Sequence, residues 1–171
     1  MKNIFLEGEI KVGKTYVLNK ILQRLNIKFG GFKTIPVYEN NKKVCFKLIN
    51  LYTYEEDMFA FYNIDGNLIV NSNVFDELGV KSLDDALENC DLIIMDELGF
   101  LEDNSNRFKE KVFEILSSEK KVIAVIKKKK NSFLNQIVKY GKVYKVNLEN
   151  KESIIEEIIK EIRNGHLSRL D

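Results

Sequence analysis

The stretch LEGEIKVGKTYVLNKIL, Leu6 to Leu22, restricts the fold more than any other part of the chain. Gly8 is followed by four residues and then Gly13-Lys14-Thr15, directly after the apolar run Ile4-Phe5-Leu6. Beyond the loop, Val17, Leu18, Ile21, Leu22 and Leu25 recur at helical spacing, with Asn19, Lys20, Gln23 and Arg24 opposite them. Strand, glycine loop and amphipathic helix in that order aim backbone N–H groups and a helix N-terminus at one point, which suits a phosphate chain. Gly8 and Gly13 permit backbone conformations that other residues resist and let phosphates approach closely. Lys14 would reach the β- and γ-phosphates, and the Thr15 hydroxyl would ligate Mg²⁺. The nucleotide-binding loop read this way comprises Gly8, Glu9, Ile10, Lys11, Val12, Gly13, Lys14, Thr15 and Tyr16.

A phosphate loop of this kind needs an acidic partner, and DLIIMDE (91–97) supplies one. Leu92 to Met95 are uninterrupted apolar residues, as in a parallel strand buried on both faces, and Asp96 ends the run. Open α/β sheets place ligands at the carboxyl ends of such strands. Asp96 would hold the Mg²⁺, and Glu97 could accept a proton from an attacking water. A carboxylate directly after the metal aspartate favours hydrolysis over transfer to a dedicated acceptor.

The remaining pattern alternates strands with helices. GGFKTIPVYENNKKVCFKLI predicts two strands joined at Asn40-Asn41, and Leu68 to Val70 another. Residues 51–66 mix aromatics with acids and suggest a flap or an irregular connection. A short helix is expected to end near Gly79, and Ser82 to Asp85 resembles a capping box opening the next one. Helices are expected near 105–116 and 132–139, strands at 121–126 and 142–148, and a last helix carrying Ile154, Ile155, Ile158, Ile159 and Ile162, with Asn150 as a possible cap. The fold expected is a doubly wound α/β domain with a mainly parallel sheet and an antiparallel hairpin insertion or edge. One domain over residues 1–164 is expected, with 165–171 as a mobile tail.

Composition removes other classes. The 171 residues carry 27 basic and 26 acidic side chains, so no global field recruits nucleic acid or an anionic membrane. There is no apolar run of membrane-spanning length, and the opening MKNIFLEGE meets Glu7 too soon for a signal peptide. Cys45, Cys90 and His166 form no metal-ligand spacing, so free thiols in a reducing cytoplasm are expected. The run Lys127 to Lys130 is ordinarily a solvated loop. Placed at a carboxyl strand end, Lys127 and Lys128 could also offset transition-state charge, a task arginine usually performs. The arginines here are Arg24, Arg107, Arg163 and Arg169. Tyr52, Tyr54, Phe59, Phe61 and Tyr62 could stack on a base, although aromatics in such a segment more often pack against the sheet.

LEGEIKVGKT, GGF.T, LIVNSNVFDELGV and above all DLIIMDELGFLE resemble the small P-loop nucleoside-triphosphatases of the cancer-related type, over about residues 3 to 162. The resemblance implies a single-domain enzyme that hydrolyses ATP, GTP and related nucleoside triphosphates slowly, with Mg²⁺. It implies phosphate binding from Gly8 to Thr15, metal organisation by Thr15 and Asp96, and water activation by Glu97. Glu102 matches the last acidic position of the family's Asp-Glu-x-Gly-x-x-Glu motif. Several positions depart from the family pattern. Glu9-Ile10 stand where Pro-Gly is usual, Tyr16 replaces a threonine, and Glu39 is the one acid after GGF.T. Phe100 takes a common lysine position, and Asn150-Lys151-Glu152 replaces Asn-Arg-Asp. These departures bear on nucleotide choice and rate. A phosphotransferase and a nucleotide-gated binding module with incidental hydrolysis stay open, as does any protein partner.

Overall fold

The computed structural model describes residues 3–99, 104–128 and 131–167. β1 (Asn3–Gly8) leads through the glycine loop into α1 (Lys14–Arg24). β2 (Phe29–Glu39), β3 (Lys42–Asn50), β4 (Glu56–Tyr62) and β5 (Leu68–Val70) follow, then α2 (Val80–Asn89) and β6 (Leu92–Leu98). The chain continues with α3 (Asn106–Ser117), β7 (Lys121–Lys127), α4 (Ser132–Ile137), β8 (Gly141–Lys145) and α5 (Lys151–Leu167).

The strands form one eight-stranded sheet ordered β5-β4-β3-β2-β6-β7-β1-β8. β2 to β6, β6 to β7, β7 to β1 and β1 to β8 pair parallel, whereas β2, β3, β4 and β5 pair antiparallel in succession. Helices cover both faces, as the doubly wound expectation requires. Ile4, Leu6, Ile94, Ile123 and Val125 pack with α1 and α5 through Leu18, Ile21, Ile155 and Ile158. Alternate residues Phe5, Ile93, Met95 and Ala124 face the opposite core with Leu83, Phe108, Val112, Phe133 and Leu134. The two-residue period of a strand sends successive side chains to opposite layers, so a fully apolar run feeds both cores.

Three expectations need correction. Residues 51–66 are not a flap: β4 lies within them and pairs with β3 on one side and β5 on the other. The short helix does not stop near Gly79, because a π-type turn at Phe75–Gly79 runs straight into α2. Ser82 therefore sits inside a helix rather than at a cap, fully buried, and its hydroxyl donates to the Leu78 carbonyl at 2.6 Å. Packing of Phe75 and Leu78 sets where this helix begins, overriding the local cap signal. The hairpin at Asn40-Asn41 forms as expected, with both residues at positive φ (48° and 62°), as a tight two-residue turn favours. Asn150 directly precedes α5, and its side chain holds the preceding loop, accepting from the Asn147 N–H and donating to the Lys145 carbonyl. α5 extends through Leu167, and the rest of the expected tail lies outside the described residues.

Both cysteines are buried free thiols. Among the described residues no helix is long and apolar enough to cross a membrane. Of the aromatics weighed for base stacking, Phe59 is a core residue 4.9 Å from the Phe75 ring centroid, and Tyr54 stands exposed on its turn.

Candidate active site

The carboxyl ends of β1, β6 and β7 converge with the middle of β2 on a cavity of about 720 Å³. Gly8, Glu9, Ile10, Lys11, Gly13, Lys14 and Thr15 line it on one side, Asp96 and Glu97 on the other, with Lys127 and Lys128 between. Val12 lies instead along a neighbouring groove with Leu148. Tyr16 is turned outward. Its hydroxyl donates to Glu152 at 3.1 Å, and Lys151 Nζ sits 5.6 Å from its ring centroid. Glu102, Lys129 and Lys130 fall outside the described residues.

The loop takes its shape from two glycines. Gly13 has φ +100° and precedes α1, a left-handed position that a side chain would strain. A Cβ on Gly8 would stand 2.6 Å from the Val146 carbonyl oxygen, so the strand end can pass that close only without a side chain. The Gly13 cap position offers no side chain to the first N–H groups of α1, which opens at the cavity-lining Lys14 and Thr15. Lys14 is nearly buried and donates to the Gly8 and Glu9 carbonyls at 2.7 and 2.8 Å. Burial pushes its ammonium pKa down, opposed by the charges of Glu97, Glu9 and Asp96.

Across the cavity, Asp96 is 7% exposed, and burial followed by the adjacent Glu97 charge pushes its carboxyl up to about 6. Lys33 and Lys14 pull in the opposite direction. A carboxylate held this way is short of positive charge, and with the Thr15 hydroxyl it offers the hard oxygen donors that suit a divalent cation. Among the described residues no group of three or more His, Cys, Asp and Glu could hold a metal alone.

Glu97 is the extra residue of a bulge. Asp96 pairs with Val125 and Leu98 with Ile126, so Glu97 drops out of the β6–β7 ladder, with φ +83°. Such a non-glycine conformation costs about 1–3 kcal/mol and concentrates at functional sites. Bulges also re-aim side chains. Here the carboxylate turns towards Lys127 (3.6 Å) and the Thr34 hydroxyl (3.5 Å) while staying partly open to the cavity. Lys128 pairs with Glu9 at 2.8 Å, tying the β7 end to the glycine loop.

Sequence reasoning missed Lys33, and it met Thr34 merely as a letter of a motif. Both line the cavity. Their place depends on β2 lying parallel to β6, with Lys33 opposite Asp96, a pairing of segments 63 residues apart that no local pattern displays.

A glycine-rich strand–loop–helix cradle facing a buried aspartate two strands away on a parallel sheet defines a P-loop nucleoside-triphosphatase domain. The chain matches the NTPase family over residues 3–159 and belongs to it. It is 36% identical to nucleoside-triphosphatase THEP1 of Methanocaldococcus jannaschii over 170 residues, covering 95% of this chain and 98% of that one. The protein of the same name from Thermotoga maritima is 37% identical over 167 residues, covering 94% and 95%. The crystal structure of THEP1 from Aquifex aeolicus superposes with a TM-score of 0.71 at 26% identity, covering 91% of this chain and 96% of that one. The solution structure of a human cancer-related nucleoside triphosphatase has the same fold, with a TM-score of 0.77 at 22% identity and 96% and 98% covered.

Proposed function

We propose that this member of the NTPase family hydrolyses the bond between the β- and γ-phosphates of ATP, GTP or a related nucleoside triphosphate, releasing the diphosphate and inorganic phosphate. The observation that carries the reading is Glu97, a strained, partly open carboxylate next to Asp96 and in the same cavity as Lys14. The names of the relatives agree with it.

In this reading the loop amides and Lys14 hold the β- and γ-phosphates, with Lys14 exchanging its loop carbonyls for phosphate oxygens. Thr15 and Asp96 would hold Mg²⁺, which when bound offsets charge on the phosphate oxygens. Glu97 orients a water so that its oxygen attacks the γ-phosphorus and its proton passes to the carboxylate. The bond to the bridging oxygen breaks, and its electron pair stays on the diphosphate. Lys127, 3.6 Å from Glu97, holds the aim of that carboxylate. Lys128 sits a step further from the chemistry, on Glu9. The free buried thiols fit a reducing cytoplasm.

The test is phosphate release from ATP and GTP, with and without Mg²⁺, by wild type, Glu97→Gln and Lys14→Ala. The expectation is turnover by wild type and retained binding without cleavage by Glu97→Gln. Lys14→Ala should lose about two to three orders of magnitude in kcat/KM. Wild type that binds nucleotide but releases no phosphate above the Lys14→Ala background sinks the reading. The cavity also continues along β2 past Thr34 to Ile35 and Pro36, which gives room for an acceptor and keeps phosphotransfer as a second reading. Labelled γ-phosphate appearing on an added alcohol or nucleotide instead of in water would identify it.

A further inference from the structure

We infer that Lys33 is a second catalytic cation, contacting the γ-phosphate from the side of Asp96 opposite to Lys14. The inference rests on the triphosphate-cleaving reading above.

Charge supply raises the question. Phosphoryl transfer spreads negative charge over the equatorial oxygens of the moving group, and arginine is the usual source of compensation. No described arginine lines this cavity. Arg24 pairs with Glu156 between α1 and α5, and Arg163 donates to the Arg24 carbonyl. Arg107 lies in the first turn of α3. The work therefore falls to lysines, and most of those at the cavity already have partners. Lys14 holds loop carbonyls, Lys127 holds Glu97, and Lys128 holds Glu9.

Lys33 differs from these. It lines the cavity, is half-buried, and makes no ion pair with any described residue. In the parallel β2–β6 register it stands directly across from Asp96, and neighbours in register point to the same face. Phe29, four residues earlier and so on that face too, packs with the core under α1. Lys33 thus shares the layer of Lys14 and the phosphate loop. Its charge already acts on Asp96, drawing that carboxyl down against burial.

The strand order sets the span. β2, β6, β7 and β1 are consecutive neighbours, so β2 and β1 lie about 14 Å apart at ordinary strand spacing. A triphosphate held from the β1 side extends its terminal phosphate towards β6, into the gap between Lys14 and Lys33. A half-buried ammonium there gains in strength as charge builds on the γ-oxygens, because the site is partly desolvated. Lys33 forms and breaks no covalent bond; it binds the oxygens and lets go with the phosphate.

The test compares wild type, Lys33→Met, Lys33→Gln and Lys33→Arg with Mg²⁺ present. It measures single-turnover phosphate release from ATP, and binding of ADP and of a non-hydrolysable ATP analogue. For Lys33→Met the expected result is a fall in the cleavage rate of about 10- to 100-fold. Analogue affinity should fall several-fold and ADP affinity stay within about twofold, because ADP lacks the group contacted. Lys33→Arg should recover most of the rate. Lys33→Gln, which keeps a polar terminus, guards against a folding defect in the methionine variant, with thermal unfolding read for each. A cleavage rate within about twofold of wild type in both neutral variants overturns the inference, and so does an equal loss of ADP and analogue binding. Should wild type release no phosphate, the hydrolase reading fails separately, and the ratio of analogue to ADP affinity still decides whether Lys33 meets the γ-phosphate.

Discussion

The parallel half of the sheet and its antiparallel arm use the same chain under different rules. In the parallel half, β6 and β7 are buried along almost their whole length, with helices on both faces. In the arm, β4 buries two central residues and leaves the others open, and Met58, Phe61, Tyr62, Ile69 and Val70 are all exposed. The cavity follows this division. Its lining comes from the carboxyl ends of β1, β6 and β7 and from the part of β2 that runs parallel to β6 or just past it. Parallel strands of a doubly wound sheet all end on the same side, so their loops can converge there, whereas antiparallel strands send their ends alternately both ways. The arm thus widens the core and brings Lys33 and Thr34 to the cavity at its root.

The two halves are joined by a chain of rings: Phe59 from β4, Phe75, Phe108 from α3 and Phe32 from β2, with successive centroids 4.9, 5.3 and 5.3 Å apart. All are fully or almost fully buried. Truncating Phe108 to alanine removes the link that touches both halves and should cost about 3–5 kcal/mol. For a chain of this length that lowers Tm by roughly 6–20 °C. A single transition, seen alike by far-UV and near-UV circular dichroism, is expected because the core is continuous. Two separated transitions would break the picture of an arm welded to the site-bearing half and make it an independent unit.

Gly13→Ala probes the parallel half at its glycine loop. Forcing a side chain into the left-handed conformation costs about 1–2 kcal/mol. The new Cβ would also press to 3.1 Å from Lys151 Cδ. Tm should fall by roughly 2–8 °C, much less than for Phe108→Ala. Phosphate release should nevertheless drop at least about tenfold, since the loop amides move off their aim. A variant with that modest thermal loss and wild-type turnover would show that the loop's shape does not set the chemistry.

The contrast between the halves also explains what could be read in advance. The phosphate loop and the Asp96-Glu97 strand end are local words, each complete within about ten residues, and their glycines, lysine and acids appear as such. β4 was not legible, because a strand buried only at Phe59 and Ala60 shows neither clean alternation nor a continuous apolar run. The arrangement of Glu97 was half-legible. Its identity is in the sequence, but its positive φ comes from a register shift against β7, a tertiary event. Lys33 was hidden for the same reason, since its meaning depends on which strand lies beside β6. Side-chain chemistry could be read one segment at a time, whereas strand order and register needed the assembled sheet.

The smallest expected effect concerns Glu9, which stands inside the phosphate loop and pairs with Lys128 across the cavity mouth. The Lys128 ammonium holds the Glu9 carboxyl below its usual range, so both groups are charged near neutral pH and the carboxylate repels incoming phosphate. Glu9→Gln removes that repulsion and frees Lys128 to turn inward. Because the pair is exposed, solvent and salt screen most of its field. Nucleotide affinity should rise by only about two- to fivefold at low ionic strength and converge on wild type near 1 M salt, where the Debye length is about 3 Å. Isothermal titration with a non-hydrolysable triphosphate at both ionic strengths measures this. An affinity that falls on substitution would mean the Glu9–Lys128 pair shapes the loop for its ligand. The loop would then depend on a strut from β7 as well as on its glycines, and the parallel half would be more interlocked at its site than the strand ends alone suggest.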